Sequence, residues 1–226
     1  MFERLELLIG KDNLEKIKNT KVLVVGVGGV GGECVLSLVR SGISNIVLID
    51  FDIVAPSNIN RQVVAFHSTL GMKKVDVLEK IILDINPSVI VSKYPVYLDK
   101  TNIKEILDKE EPSFIIDCCD SKETKKEIIK EALERDIMFI SSMGTGNKFD
   151  PSQLEIVDIR KTNNDPLARI FRKWVKDERI NKKIPVLCSK EVPIHSGRVV
   201  ASNSFVPNSA GLLISSYVIR KIIGKY

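Results

Sequence analysis

Apolar residues along this chain fall into two alternating patterns. Near-continuous runs such as Val22-Leu23-Val24-Val25 and Phe114-Ile115-Ile116 read as strands covered on both faces. Between them apolar positions recur at helical spacing, as in Val75, Leu78, Ile81, Ile82 and Ile85 ahead of the stop at Asn86-Pro87. The pattern predicts strands over 21–26, 45–50, 88–94, 113–118 and 137–142, and helices over 30–41, 73–86, 102–109 and 123–135. A further helix over 3–9 precedes the first strand. Such alternation implies an α/β fold, a Rossmann-like, mostly parallel sheet with helices on both faces.

Past Met143-Gly144-Thr145-Gly146 the pattern changes. Residues 153–159 alternate like an exposed or antiparallel strand, and Asp165-Pro166 then opens a helix with a cap residue and a proline at its first position. That helix carries an apolar stripe of Leu167, Ile170, Phe171, Trp174 and Val175, with Arg169, Arg172, Lys173 and Lys176 on the other side. Strand-like runs over 185–191 and 198–206 lead through Pro207-Asn208 into a last helix ending near Ile223. The C-terminal third therefore extends the same sheet with antiparallel strands, and residues 1–226 are expected to form one domain.

Composition narrows the picture. The 226 residues are 44% hydrophobic and 28% charged, within the globular range. No apolar run approaches the roughly 18 residues of a membrane span, and Met1-Phe2-Glu3-Arg4 does not begin a signal peptide, so no integral membrane segment and a cytoplasmic location are expected. Cys34, Cys118, Cys119 and Cys188 form no Cys-x-x-Cys pair, which argues against a zinc site. Adjacent Cys118 and Cys119 read as small buried hydrophobes within a strand. Cys188, His67 and His195 show no partner in the sequence and receive no role. The net charge of +5 is uneven: residues 160–183 hold nine basic against three acidic side chains, which leaves the remainder near neutral.

The strongest chemical signal is Gly26-x-Gly28-x-x-Gly31, with Gly29 inside it, directly after a strand and opening a helix. Acidic Asp50 closes the next strand about twenty residues on, which completes a nucleotide-binding fingerprint. Glycines admit phosphate close to the backbone, the helix N-terminus supplies N–H donors, and Asp50 can accept ribose hydroxyls. The fingerprint alone does not separate NAD from ATP. The polar run Asp50-Phe51-Asp52 to Ser57-Asn58-Ile59-Asn60-Arg61-Gln62, followed by Lys73-Lys74, suits displacement of pyrophosphate better than hydride transfer. An NAD-binding oxidoreductase or sensor would rest on the glycine loop only.

Over nearly its whole length the chain resembles the ubiquitin-activating-like adenylating superfamily that includes the ThiF and MoeB proteins. The resemblance implies a nucleotide-binding core over 21–146 between an N-terminal helix within 1–20 and a substrate-side extension, 147–226. It implies that Asp50, Asp52 and Asn58 hold ATP with the glycine loop, that Arg61 and Lys74 hold its phosphates, and that Asp120, in Asp117-Cys118-Cys119-Asp120-Ser121, binds Mg2+. Arg4 looks like the arginine that such proteins pass to the partner's site in a homodimer. In the extension, Asp165-Pro166-Leu167-Ala168-Arg169, Cys188-Ser189-Lys190-Glu191 and Ser204-Phe205-Val206-Pro207 are similar to the tRNA threonylcarbamoyladenosine dehydratase branch. That branch implies adenylation of the threonylcarbamoyl carboxylate on tRNA, intramolecular ring closure and AMP release, with sulfur-relay helper proteins as further partners. Arg169, Arg172, Lys173 and Lys176 are then the expected tRNA contacts. The alternative within the superfamily is adenylation of the C-terminus of a ubiquitin-like sulfur carrier, against which the missing Cys-x-x-Cys pairs and the basic helix both argue.

Overall fold

The computed structural model describes residues 1–195 and 199–225. Its strands are β1 (Lys21–Val25), β2 (Asn45–Ile49), β3 (Ile90–Tyr94), β4 (Phe114–Asp117), β5 (Met138–Ser142), β6 (Leu154–Asp158) and β7 (Pro185–Ser189). They form one sheet in the order β3-β2-β1-β4-β5-β7-β6. All neighbours pair in parallel except β6, which closes the edge antiparallel to β7.

Alternate strand residues point into two separate cores. Val22, Val24, Ile46, Leu48 and Ile116 pack with α2 (Lys11–Lys18), α3 (Gly29–Arg40), α4 (Lys74–Ile85) and α8 (Phe205–Ile222). Leu23, Val25, Val47, Ile49 and Ile115 pack with α5 (Ile103–Glu110), α6 (Lys122–Glu134) and α7 (Pro166–Asp177). This two-sided burial is the reason the strands read as continuous apolar runs. α1 (Glu3–Ile9) touches the first core only through the partly buried Ile9, with no fully buried residue and with Leu7 and Leu8 exposed.

Among the described residues no helix is long and apolar enough to cross a membrane. The helix starting at Asp165 forms as its sequence predicts: Asp165 Oδ1 accepts the Ala168 amide at 2.9 Å. Its Oδ2 meets Lys148 Nζ at 3.2 Å, and that ammonium also donates to Gly144 O at 2.8 Å, so one buried carboxylate ties the loop after β5 to the start of α7.

Two expectations change. The single N-terminal helix expected within 1–20 is two, α1 and α2, divided at Gly10 with φ +86°, and α2 gives a thin apolar signal because only its Leu14 and Ile17 are buried. The strand expected over 198–206 does not form over 199–206, and Arg198 lies outside the described residues. Val199 and Val200 are exposed, and polar side chains replace a ladder: the Ala201 amide donates to Asn147 Oδ1, and Asn203 Nδ2 donates to Lys148 O. α8 begins already at Phe205, where Asn203 Oδ1 accepts the Phe205 and Val206 amides.

Candidate active site

Strand order reverses between β1 and β4, since β2 lies to one side of β1 and β4 to the other. Ligands of doubly wound sheets bind in the crevice at such a switch point, outside the carboxyl ends of the strands. A cavity of about 340 Å³ opens there, large enough for a nucleotide-sized ligand. Gly26, Gly28, Gly29, Asp50, Asp52, Asn58, Arg61, Lys74 and Asp120 all line it, although they come from five separate stretches of chain.

Gly31 is the exception within the glycine loop. It is buried and does not line the cavity; a β-carbon there would fall 1.8 Å from Gly26 O. Its function is to let α3 close onto the preceding turn, a packing role and not a phosphate contact. Gly26 itself sits at φ +83°, against the Cys118 backbone of β4's end, so the loop and β4 meet main chain to main chain.

Asp50 is buried and already engaged. Its Oδ2 accepts the Val27 amide and its Oδ1 the Asp52 amide, both at 2.8 Å, which fastens the glycine loop to the end of β2. Burial holds its carboxyl above the ordinary carboxylate range, against the opposing pull of the Asp52 amide, the Lys74 charge and the Val27 amide. Lys74, in the first turn of α4, is 5% exposed and points its Nζ to Asp52 Oδ2 at 2.7 Å. The Arg61 guanidinium donates to Ser57 O at 2.7 Å and to Asn60 Oδ1 at 3.0 Å. Asn58 Oδ1 accepts the Ala55 amide and so fixes the turn that carries Arg61. Two cations are thus held on the wall by neighbouring acceptors before any anion arrives.

The cavity also has residues that motif matching did not supply. Gln62 lines it with Oε1 buried and without a hydrogen-bond partner, a group that a ligand donor would satisfy. The only signal for Gln62 was its place in the polar run after Asp50. Phe51 and Tyr97 meet edge to face at 5.2 Å, and the Tyr97 hydroxyl lies 2.7 Å from Ser121 Oγ, forming an aromatic wall opposite the glycine loop. Thr145 of the loop after β5, with Ser202 and Pro207 from the C-terminal third, also lines the cavity. Cys118 and Cys119 also line the cavity at intermediate exposure, just past the end of β4, which corrects their reading as interior strand residues. Burial pushes both thiols up, so neither is an activated nucleophile. Cys188 is buried in β7, and burial, with Glu155 and Asp165 nearby, raises its thiol to about 11.

Asp120 is exposed at the cavity mouth. Among the described residues no group of three or more His, Cys, Asp or Glu converges on a common point. A fully protein-built metal cage is therefore absent from that part of the chain. A single open carboxylate beside a phosphate cradle instead fits magnesium, which usually keeps waters and takes one or two carboxylates plus substrate phosphates.

Arg4 is exposed on α1 and does not reach this cavity of its own chain. On α7, Arg169, Lys173 and Lys176 are exposed, Lys173 paired with Asp177 at 2.9 Å. Arg172 is half-buried and donates to Thr162 O and Oγ1 at 2.9 and 2.6 Å, which makes it a brace for the segment before the helix.

A glycine loop, two wall-mounted cations and one open carboxylate at the switch point of a doubly wound sheet define a nucleotide-phosphate-binding α/β protein. The chain belongs to the ThiF family, whose model matches residues 2–224. It is 38% identical to the tRNA threonylcarbamoyladenosine dehydratase of Bacillus subtilis, covering 98% of this chain and 94% of that protein. The Escherichia coli protein of the same name is 33% identical over 76% of this chain and 63% of its own length. The structure of that E. coli enzyme, TcdA, in complex with ATP superposes with a TM-score of 0.93 at 28% identity, covering 99% of this chain and 93% of the other.

Proposed function

We propose that the protein uses ATP to adenylate the carboxylate of the threonylcarbamoyl group on N6-threonylcarbamoyladenosine in tRNA, and that the neighbouring carbamoyl group then closes a ring and expels AMP. The observation that carries this reading is the convergence of the glycine loop, Arg61, Lys74 and Asp120 on one cavity, in a chain that aligns nearly end to end with the B. subtilis dehydratase.

In the first step a carboxylate oxygen attacks the α-phosphorus and pyrophosphate leaves. Negative charge accumulates on the phosphate oxygens, where Arg61 and Lys74 stand as preorganised cations, each such donor worth a few kcal/mol in a closed site. Mg2+ held by Asp120 would add charge neutralisation and orientation of the phosphates when bound. In the second step nucleophile and acyl group belong to one molecule, so proximity contributes an effective molarity of roughly 10⁵ M or more and no protein thiol is needed. The raised thiols of Cys118, Cys119 and Cys188 agree with that economy. Neither step involves sulfur, so sulfur-relay helper proteins would act outside the chemistry. The cytoplasm, where ATP and tRNA meet, is the proposed location.

Liquid chromatography of nucleosides from threonylcarbamoylated tRNA tests the reading. Protein with ATP should convert the open nucleoside to its ring-closed product and release AMP, while protein without ATP leaves it unchanged. A ubiquitin-like sulfur carrier in place of tRNA should yield no AMP; adenylation of the carrier and not of tRNA would overturn the assignment.

The exposed cations of α7, Arg169, Lys173 and Lys176, supply the proposed tRNA phosphate contacts, while Arg172 braces the segment before the helix through Thr162. The variant Arg169→Ala/Lys176→Ala should raise KM for tRNA while leaving KM for ATP alone. Loss of two phosphate contacts should also flatten the slope of log affinity against log salt by about 1.5. An unchanged slope would place the tRNA elsewhere. The exposed Leu7 and Leu8 of α1, together with an exposed Arg4 that is not among the residues lining its own cavity, support a homodimer in which Arg4 serves the partner's site.

A further inference from the structure

Beneath the cavity lies a charged cluster sealed from solvent. Lys125 of α6 and Asp117, the last residue of β4, are both 0% exposed, with Lys125 Nζ 3.0 Å from Asp117 Oδ2. The same Oδ2 accepts the Ser141 hydroxyl at 2.5 Å, and Lys125 also donates to Ser142 O at 2.7 Å. The carboxyl ends of β4 and β5 are thereby tied together through one ammonium group. Burial pulls the Lys125 ammonium down, but the Asp117 charge and hydrogen bond together with the neighbouring Cys119 and Cys118 more than offset it, and the group stays above the ordinary lysine range.

Stability alone is a poor explanation for such a pair. Desolvating two ions costs several kcal/mol each, and well-packed apolar replacements of buried pairs are often neutral or stabilising. The second oxygen of Asp117 suggests another purpose. Asp117 Oδ1 accepts the Cys119 amide at 3.1 Å. Cys119 directly precedes Asp120, and Ser121 then caps α6 by accepting the Thr124 amide at 3.3 Å. The turn that presents Asp120 is thus pinned at its front by Asp117 and at its back by the helix cap.

We infer that Asp117 is a positioning residue for the metal-binding function of Asp120, acting through the Cys119 amide, with Lys125 and Ser141 locking its carboxylate in that orientation. The inference rests on the proposed magnesium role of Asp120. Outer partners that orient a metal-binding side chain typically change metal affinity by about 10- to 100-fold when removed.

Two double variants of the full chain separate positioning from packing. Asp117→Asn/Lys125→Met and Asp117→Val/Lys125→Met both discharge the pair, so neither strands a lone buried ion. Only asparagine retains an oxygen for the Cys119 amide. Binding of Mn2+ in the presence of a non-hydrolysable ATP analogue, read from the electron paramagnetic resonance signal of free Mn2+, reports the site without turnover. The asparagine variant should stay within about threefold of wild type and the valine variant weaken at least about tenfold. Equal affinities in the two variants would overturn the inference. Asp120→Ala serves as the reference arm. If it binds Mn2+ like wild type, the role of Asp120 itself fails; if it loses Mn2+ while the valine variant keeps it, only the positioning role fails.

Discussion

Asp120→Ala lowers the rate of AMP release from ATP and threonylcarbamoylated tRNA by an expected 10²- to 10³-fold or about that order, with the protein still folded. The side chain is exposed at the cavity mouth and takes no hydrogen bond among the described residues, so its removal leaves their packing untouched. Steady-state assays across a magnesium titration check this: the defect should persist at every magnesium concentration, and turnover at the wild-type rate would remove Asp120 from the reaction. The same variant tests the dimer. Arg4→Ala should also be inactive, and mixing it with Asp120→Ala protein should restore part of the activity, because one of the two sites in a mixed dimer then combines an intact Asp120 with an intact Arg4. Absence of rescue would mean that each cavity is complete within one chain.

Gly31→Ala should have the largest effect on the fold. The added methyl carbon would lie 1.8 Å from Gly26 O, and that atom is main chain held by the strand-to-helix turn, so it cannot swing aside. Overpacking of this kind costs about 3 kcal/mol or more when backbone must move. Thermal denaturation should show a fall of many degrees together with lost nucleotide binding. Gly28→Ala is the comparison, since a β-carbon there meets only the Gln62 side chain at 3.7 Å or beyond. It should melt near wild type while still impairing ATP binding, because Gly28 lines the cavity and Gly31 does not. If Gly31→Ala melted as wild type, the close approach of α3 to its preceding turn would be wrong.

The central sheet was legible because buried parallel strands announce themselves as apolar runs and the helices between them as 3.6-residue stripes. β1 to β5 and α3 to α7 lie within a few residues of their predicted ranges. The cavity residues were legible for a different reason: glycines and charged side chains cluster in short motifs, and the topology then carries those motifs to one switch point. What escaped prediction depends on long-range partners. Cys118 and Cys119 look like strand interior until β4 is seen to end at Asp117, where the chain turns to deliver Asp120. Arg172 is indistinguishable from Arg169 on a helical projection, and only the position of Thr162 makes it a brace. Residues 199–204 alternate like a strand, yet the Asn147 and Asn60 side chains and a single main-chain bond from the Asn147 amide to Ala201 O take the place of a ladder, which no periodicity encodes. Tyr97 and Ser121 come together from loops 24 residues apart, with no motif linking them.

The packing of α8 against α3 bears on when the protein can first bind a nucleotide. Gly211 lets α8 approach so closely that a β-carbon would lie 2.4 Å from Val30 O, and Ser215 Oγ donates to Ser37 Oγ at 2.7 Å across 178 residues of sequence. Pro207 of the same helix forms part of the cavity lining beside the glycine loop. At about 5 to 20 residues per second, roughly ten to forty seconds of translation separate the synthesis of these two helices. The glycine loop therefore leaves the ribosome long before its lining is complete. Until α8 has emerged and docked, the nascent chain holds a cradle that lacks Pro207 and the close support of α8 against α3.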